Sequence, residues 1–193
     1  MLALPQFSSR ASSGLLASKA TNEQTVMSSQ EIILNHDLWR KGAGGAPAGL
    51  VGQADSSAYV GLDLDLAQFT ESAFFGSSFT GTTFHQARWV ACTFTDCVFS
   101  GCGFGDISIS DCTFVNCVFE YTEFERSTLI GSCLMQCSLN EVSFDQGRWS
   151  EVKLLECTGT RIKAVGLRGE RIDFMGSNFE QLEFEDTILN SAM

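Results

Sequence analysis

One feature limits what this chain can fold into: from Tyr59 to Leu189 every fifth residue falls into a single register, with no insertion or deletion. Of these 27 positions 25 are apolar, Phe at fourteen, and the two exceptions are Gly159 and Gly169. Two residues before each stands a second biased position, small or apolar, filled by Ala87, Cys92, Cys97, Cys102, Ile107, Cys112 and Cys117 in the middle of the chain. A register held this long is a repeat architecture and outranks local propensity.

The spacing dictates the unit. Two inward side chains separated by one outward residue describe a short extended segment. The remaining two residues must turn the chain, so each unit is one side of a coil. No unit buries its apolar pair alone; stacked coils do.

The large residue at the central position and the small one two before it resemble the pentapeptide-repeat family over residues 59 to 189. The resemblance implies an all-β solenoid, a right-handed quadrilateral β-helix with four repeats to a coil. It implies no particular function. On that map residues twenty apart stack, giving nearly seven coils and a rod about 32 Å long at about 4.8 Å per coil. The inner columns run from Leu64 to Phe184, Phe69 to Leu189, Phe74 to Phe174 and Tyr59 to Phe179, on a first, second, third and fourth face respectively.

The predicted domains are a flexible leader over 1–28, a capping helix and Gly-rich linker over 29–55, and the β-helix over 56–193. Ser28 with Glu31 forms a capping box, Ile32, Ile33, Leu34, Leu38 and Trp39 supply an apolar face, and Gly42 is placed to stop the helix. A solenoid exposes its first coil edge, so this helix is expected to cover it with Trp39 packed on the core. Residues 31–66, with His36, Trp39 and a glycine-rich link, are also similar to the opening of pentapeptide-repeat proteins linked with bacterial type VI secretion. Between Leu155 and Ile172, Gly159, Ala164 and Gly169 replace large ring residues; a thin coil, bent or looped, is expected there.

Seven of the eight cysteines occupy the small inward position, and Cys97, Cys117, Cys137 and Cys157 form one column. Parallel side chains in such a ladder are poorly placed for disulfides or for a tetrahedral metal site, so reduced, buried thiols and a reducing compartment are expected. No apolar run is long enough for a membrane span, and residues 1–20 lack a signal-peptide core. A cytoplasmic bacterial protein is expected, with export by a route other than the Sec system left open.

The chain holds only two histidines, His36 and His85, and lacks phosphate-loop, GxSxG and CxxC motifs. No enzyme, cofactor or metal is expected, and function is assigned to the outer surface. Residues 1–55 hold four acids and four bases, so the net charge of −11 belongs to the repeats. The first face carries Asp63, Asp65, Asp106, Glu123, Glu125, Asp145, Glu183, Glu185 and Asp186 against Arg126 and Lys163. The third face carries an outward apolar strip: Phe75, Thr95, Val115, Met135, Leu155 and Met175. Either residues 1–55 fold over this strip, or a protein partner or second copy docks on it. Two functions follow. One is a noncatalytic interaction scaffold or adaptor, attached to secretion by the second resemblance. The alternative is a DNA mimic, since the resemblance extends to family members that present an acidic rod to DNA gyrase or topoisomerase IV. Neither requires direct contact with nucleic acid.

Overall fold

Stacking at a separation of twenty residues is what the backbone shows. In the computed structural model, which describes residues 27–191, Phe69 pairs with Trp89, Trp89 with Ile109 and Ile109 with Leu129, each in parallel register. Three parallel sheets result, of eight, six and seven strands, on the second, third and fourth faces. The first face is held by a line of isolated bridges through Asp63, Thr83, Gly103, Glu123, Ser143 and Lys163. The chain is therefore a parallel β-solenoid of about seven turns with one short N-terminal helix.

Most strands are three residues long, with the middle one buried, because only the alternation around the ring residue is extended. The corner falls two residues later. Corner residues other than glycine have φ between 47° and 69°, a left-handed turn repeated at nearly every fifth position. That conformation costs about 1 kcal/mol for a residue bearing a Cβ. It survives because the flanking backbone is hydrogen-bonded to the coils on either side.

Aromatic rings fill the core in two directions. Along a column they stack, as in Phe84–Phe104 (5.1 Å, 4°) and Phe104–Phe124 (4.4 Å, 5°). Between columns they meet edge-on, as in Phe94–Phe99 (65°) and Phe99–Phe104 (66°), the favoured relation for rings with a negative face and positive edge. The thiols line this core unbonded: all eight cysteines are free, and seven are buried. Cys97 Sγ lies 3.4 Å from the carbonyls of Phe74 and Thr95, and Cys117, Cys137 and Cys157 repeat the contact one coil on. Ser177 ends the column with its hydroxyl donating to Leu154 O at 2.7 Å. Burial pushes the Cys102 thiol up to about 11, which keeps it protonated and unreactive.

Three local expectations differ from what the coordinates show. The sheets begin upstream of residue 56, with β1 (Gly49–Val51) and β2 (Ala54–Asp55) already paired to the next coil, ahead of β3 (Ala58–Val60). The coil between 155 and 172 is not looped, although the pairing of Arg168–Ile172 with Ile188–Ser191 shifts register between Gly169 and Ile172. Thr158–Val165 and Arg168–Ile172 are continuous strands, because Ile162 and Ile172 occupy the space a ring would have filled. A Cβ on Gly159 would lie 2.4 Å from Leu139 O and 2.9 Å from Ile162 Cδ1; on Gly169 it would lie 2.9 Å from Ile172 Cγ1. Gly159→Leu is thus expected to overpack rather than complete the column, lowering stability by about 1–3 kcal/mol in a urea titration. A gain in stability would show that the site is an unfilled void.

The third difference is the cap. Helix α1 (Ser29–Arg40) has the capping box of Ser28 and Glu31, and Gly42 follows its C-cap at φ +68°. It packs on β1 and β2, but through Ser29, Ile33, His36 and Asp37. Ile32 is only partly buried, while Leu38 (42% exposed) and Trp39 (37%) lie at the rim. Trp39 stands beside the His36 ring at 5.3 Å, not on the core. The reason is helical phase. Residues 29, 33, 36 and 37 share one stripe, and the first coil presents polar groups to it. The leader expected over 1–28 lies almost wholly outside the described residues.

Candidate interaction surface

The apolar strip is where the register places it. Phe75, Val115, Met135 and Leu155 each follow a buried ring residue on the third face, so the strand alternation that buries Phe74, Phe114, Leu134 and Leu154 turns them outward. Phe75 is 53% exposed and Met175, past the last strand of that sheet, 68%; Val115 and Leu155 are half-buried by their neighbours along the strip. Met135, Leu155 and Met175 line a shallow groove of about 400 Å3, edged by Gln136, Glu156 and Gly176. Helix α1 packs against the first-coil strands and leaves these side chains open.

The last coil offers a second apolar surface that the column map does not reveal. Among the described residues no coil stacks on its ring residues. Phe174 (38%), Phe184 (44%) and Leu182 (45%) are exposed, while Phe179 and Leu189 are half-buried.

The acidic face is less acidic than its composition. Arg40 of the cap reaches Asp63 (2.9 Å) and Asp65 (3.4 Å). Arg126 forks onto both oxygens of Asp106 at 2.9 Å and also pairs with Glu125, and Lys163 pairs with Asp145 at 3.0 Å. Hydrogen bonds from Arg126 hold the Asp106 carboxyl below its ordinary range. Glu123, Glu183, Glu185 and Asp186 carry no ion pair among the described residues. Corner residues twenty apart pair in the same way: Glu141 with Arg161, Glu151 with Arg171, and Asn116 with Asp96. Separation by twenty was the legible sign of these pairs. Exposed pairs of this kind contribute about 0–1 kcal/mol each.

Residues twenty apart stack without interruption through the middle coils, and a sequence profile described as a pentapeptide repeat region matches residues 87–163. The chain carries a pentapeptide repeat region. No curated protein matches it in sequence at a significant level. Among solved structures it is similar to a trypsin-treated variant of QnrB1, described as a plasmid-mediated fluoroquinolone resistance protein. That match has a TM-score of 0.47 at 18% identity, over 72% of this chain and 78% of that one. Rfr23, a pentapeptide repeat protein from the cyanobacterium Cyanothece 51142, matches with a TM-score of 0.46 at 10% identity, over 64% and 91%. HetL, from Nostoc sp. strain PCC 7120 and described as involved in heterocyst differentiation regulation, matches with a TM-score of 0.40 at 8% identity, over 84% and 94%.

The first coil is closed by polar groups around Asp55. This side chain, 5% exposed, accepts hydrogen bonds from Ser29 Oγ (2.9 Å), Ser57 N (3.0 Å), Ser57 Oγ (3.2 Å), Tyr59 OH (2.7 Å) and Ser77 Oγ (2.9 Å). Burial, then the bond to Asp55, raises the Tyr59 pKa and holds its hydroxyl as a donor. Asp37 accepts from Asp63 N and Lys41 Nζ, both at 2.7 Å. His36 donates from Nε2 to Asp65 O (2.8 Å) and accepts at Nδ1 from Ala48 N (2.7 Å). Ser57, Tyr59 and Ser77 stand in the five-residue register, but Ser29, His36, Asp37, Lys41, Ala48 and Asp55 do not, so periodicity carried no signal for their pairing. No helix among the described residues is long and apolar enough to cross a membrane.

Proposed function

We propose that this pentapeptide-repeat protein is a noncatalytic protein-interaction scaffold, in keeping with a family whose members are generally noncatalytic, and that the strip on the third face is its docking surface. The observation that carries this reading is an outward apolar row, from Phe75 to Met175, mounted on a continuous parallel sheet. Such a row costs solubility unless a contact covers it. A rigid backbone also presents it without the ordering penalty a loop would incur on binding. The eight free thiols suit a reducing, cytoplasmic setting. The secretion context rests on residues 31–66 alone, and His36 and Arg40 of that stretch already have a structural use in holding the cap.

The second reading is the DNA mimic. Glu123, Glu183, Glu185 and Asp186 favour it as unpaired carboxylates along one face. Pairing of five of the nine acids with Arg40, Arg126 and Lys163 weighs against it, since a phosphate row is a continuous line of unneutralised charge.

One comparison separates them: capture of proteins from lysate of the source organism by the wild type and by Met135→Glu/Leu155→Glu, across a salt series. The scaffold reading expects a partner retained at high salt and lost, at least tenfold, in the double variant. Topoisomerase subunits released steeply by salt and held equally by the variant would establish the mimic instead. Sedimentation of both proteins reports whether the partner on the strip is a second copy.

A further inference from the structure

We propose that helix α1 is an acid-released cap: protonation of the buried His36 imidazole unseats the helix from the first coil and opens the end of the solenoid. His36 is fully buried and joins three segments. It sits on α1, its Nε2–H donates to the Asp65 carbonyl in the first coil, and its Nδ1 accepts from the Ala48 N–H where the chain enters β1. One nitrogen donating and the other accepting requires the neutral ring. A proton on Nδ1 would face the Ala48 N–H donor to donor, and the seal between helix and β1 would be lost.

The surroundings do not welcome a cation. From the first coil Asp63 and Asp65 face the imidazole, and from the helix Asp37 and Arg40 do. The acids are already matched, Asp63 and Asp65 to Arg40, and Asp37 to Lys41. Burial outweighs the pull of Asp63 and Asp65 and lowers the His36 pKa from its ordinary value. The released state therefore binds the proton more readily than the docked state. Docking is strongest above the free histidine value of about 6.5 and weakens as pH falls from there toward the lowered value. Each unit of lowering is a factor of about ten in the docking equilibrium.

Little else holds the helix by apolar contact, since Ile33 is its one large fully buried apolar side chain. The coils behind it are unaffected by acid in this range, because Phe84, Phe104 and Phe124 do not titrate. Release would uncover the edges of β1 and β2, with Leu50 of β1 among the buried residues there, a template for strand addition.

Hydrogen exchange of the full chain between pH 7.5 and 5, corrected for intrinsic rate, tests this, with residues 92–119 as internal reference. Protection across 29–55 is expected to fall about tenfold or more with a midpoint below about 6.5, while the reference is unchanged. His36→Gln, which offers a donor and an acceptor without titrating, is expected to lose that pH dependence. Constant protection in the wild type would overturn the proposal. So would an equal fall in the glutamine variant, which would assign the effect to Asp37, Asp63 or Asp65. If that variant fails to dock the helix at any pH, NMR titration of His36 in the wild type decides: a pKa below about 6.5 supports release, and one at or above it overturns release.

Discussion

Phe104→Ala is expected to lower the unfolding free energy by about 3–5 kcal/mol, the range for a buried aromatic that leaves a cavity. Phe104 is fully buried, lies between Phe84 and Phe124 in its column, and meets Phe99 and Trp89 edge-on at 5.7 Å. The void could shrink only if coils moved together or inward. The parallel hydrogen bonds from Gly103 N to Thr82 O and from Phe104 N to Glu123 O fix both the coil spacing and the position of this side. Against a total stability of about 5–15 kcal/mol this is a large fraction. Phe184→Ala in the same column is the control. Phe184 is 44% exposed, so it has little cavity to leave and should cost about 1 kcal/mol or less. Urea midpoints of the two variants check this; equal losses would mean that the stacked column is not what holds the rod.

Asp55→Ala is expected to detach the first coil while leaving the rod folded. The substitution removes the shared acceptor of four hydroxyl or amide groups on Ser29, Ser57 and Ser77 and of the Tyr59 hydroxyl. Ser77 is fully buried and Tyr59 nearly so, and neither can turn to water. Each buried donor left without a partner costs about 1–3 kcal/mol, so the local loss should reach about 3 kcal/mol. In a solenoid each coil contacts only its neighbours. Exchange protection across residues 29–60 should therefore collapse while residues 92–119 keep theirs. A uniform loss along the chain, or a loss under about 1 kcal/mol, would show that Ile33 and the strand pairs of β1 hold the end instead.

These two sites differ in how visible they were in the sequence. The position of Phe104, its neighbours Phe84 and Phe124 and its burial all follow from counting by five and by twenty. The outward strip from Phe75 to Met175 follows from the same count, because alternation fixes the side of the sheet once the ring position is known. Asp55 was legible only as an acid before the first repeat. Nothing in its spacing shows that it gathers Ser29, Ser57, Tyr59 and Ser77, since β2 joins the sheet nineteen residues before its partner rather than twenty. Trp39 was misplaced for a different reason: apolar character selected it with Ile33, whereas helical phase turns Ile33 and the polar Ser29, His36 and Asp37 to the coil. The acidic face was counted correctly but its pairing was not, because Arg40 comes from the cap and lies outside the repeat.

The sequence by itself determined the solenoid, its columns, the inward thiols and the outward strip. A short-period repeat makes each residue's environment a copy of the one twenty positions away, so local chemistry and global position are the same information. Tertiary structure alone decided the docking of the cap, the neutralising of Asp63 and Asp65, and the filling of Gly159 by Ile162. Each of these depends on a residue outside the repeat or on a break in it, and there a side chain's neighbours are set by packing rather than by count.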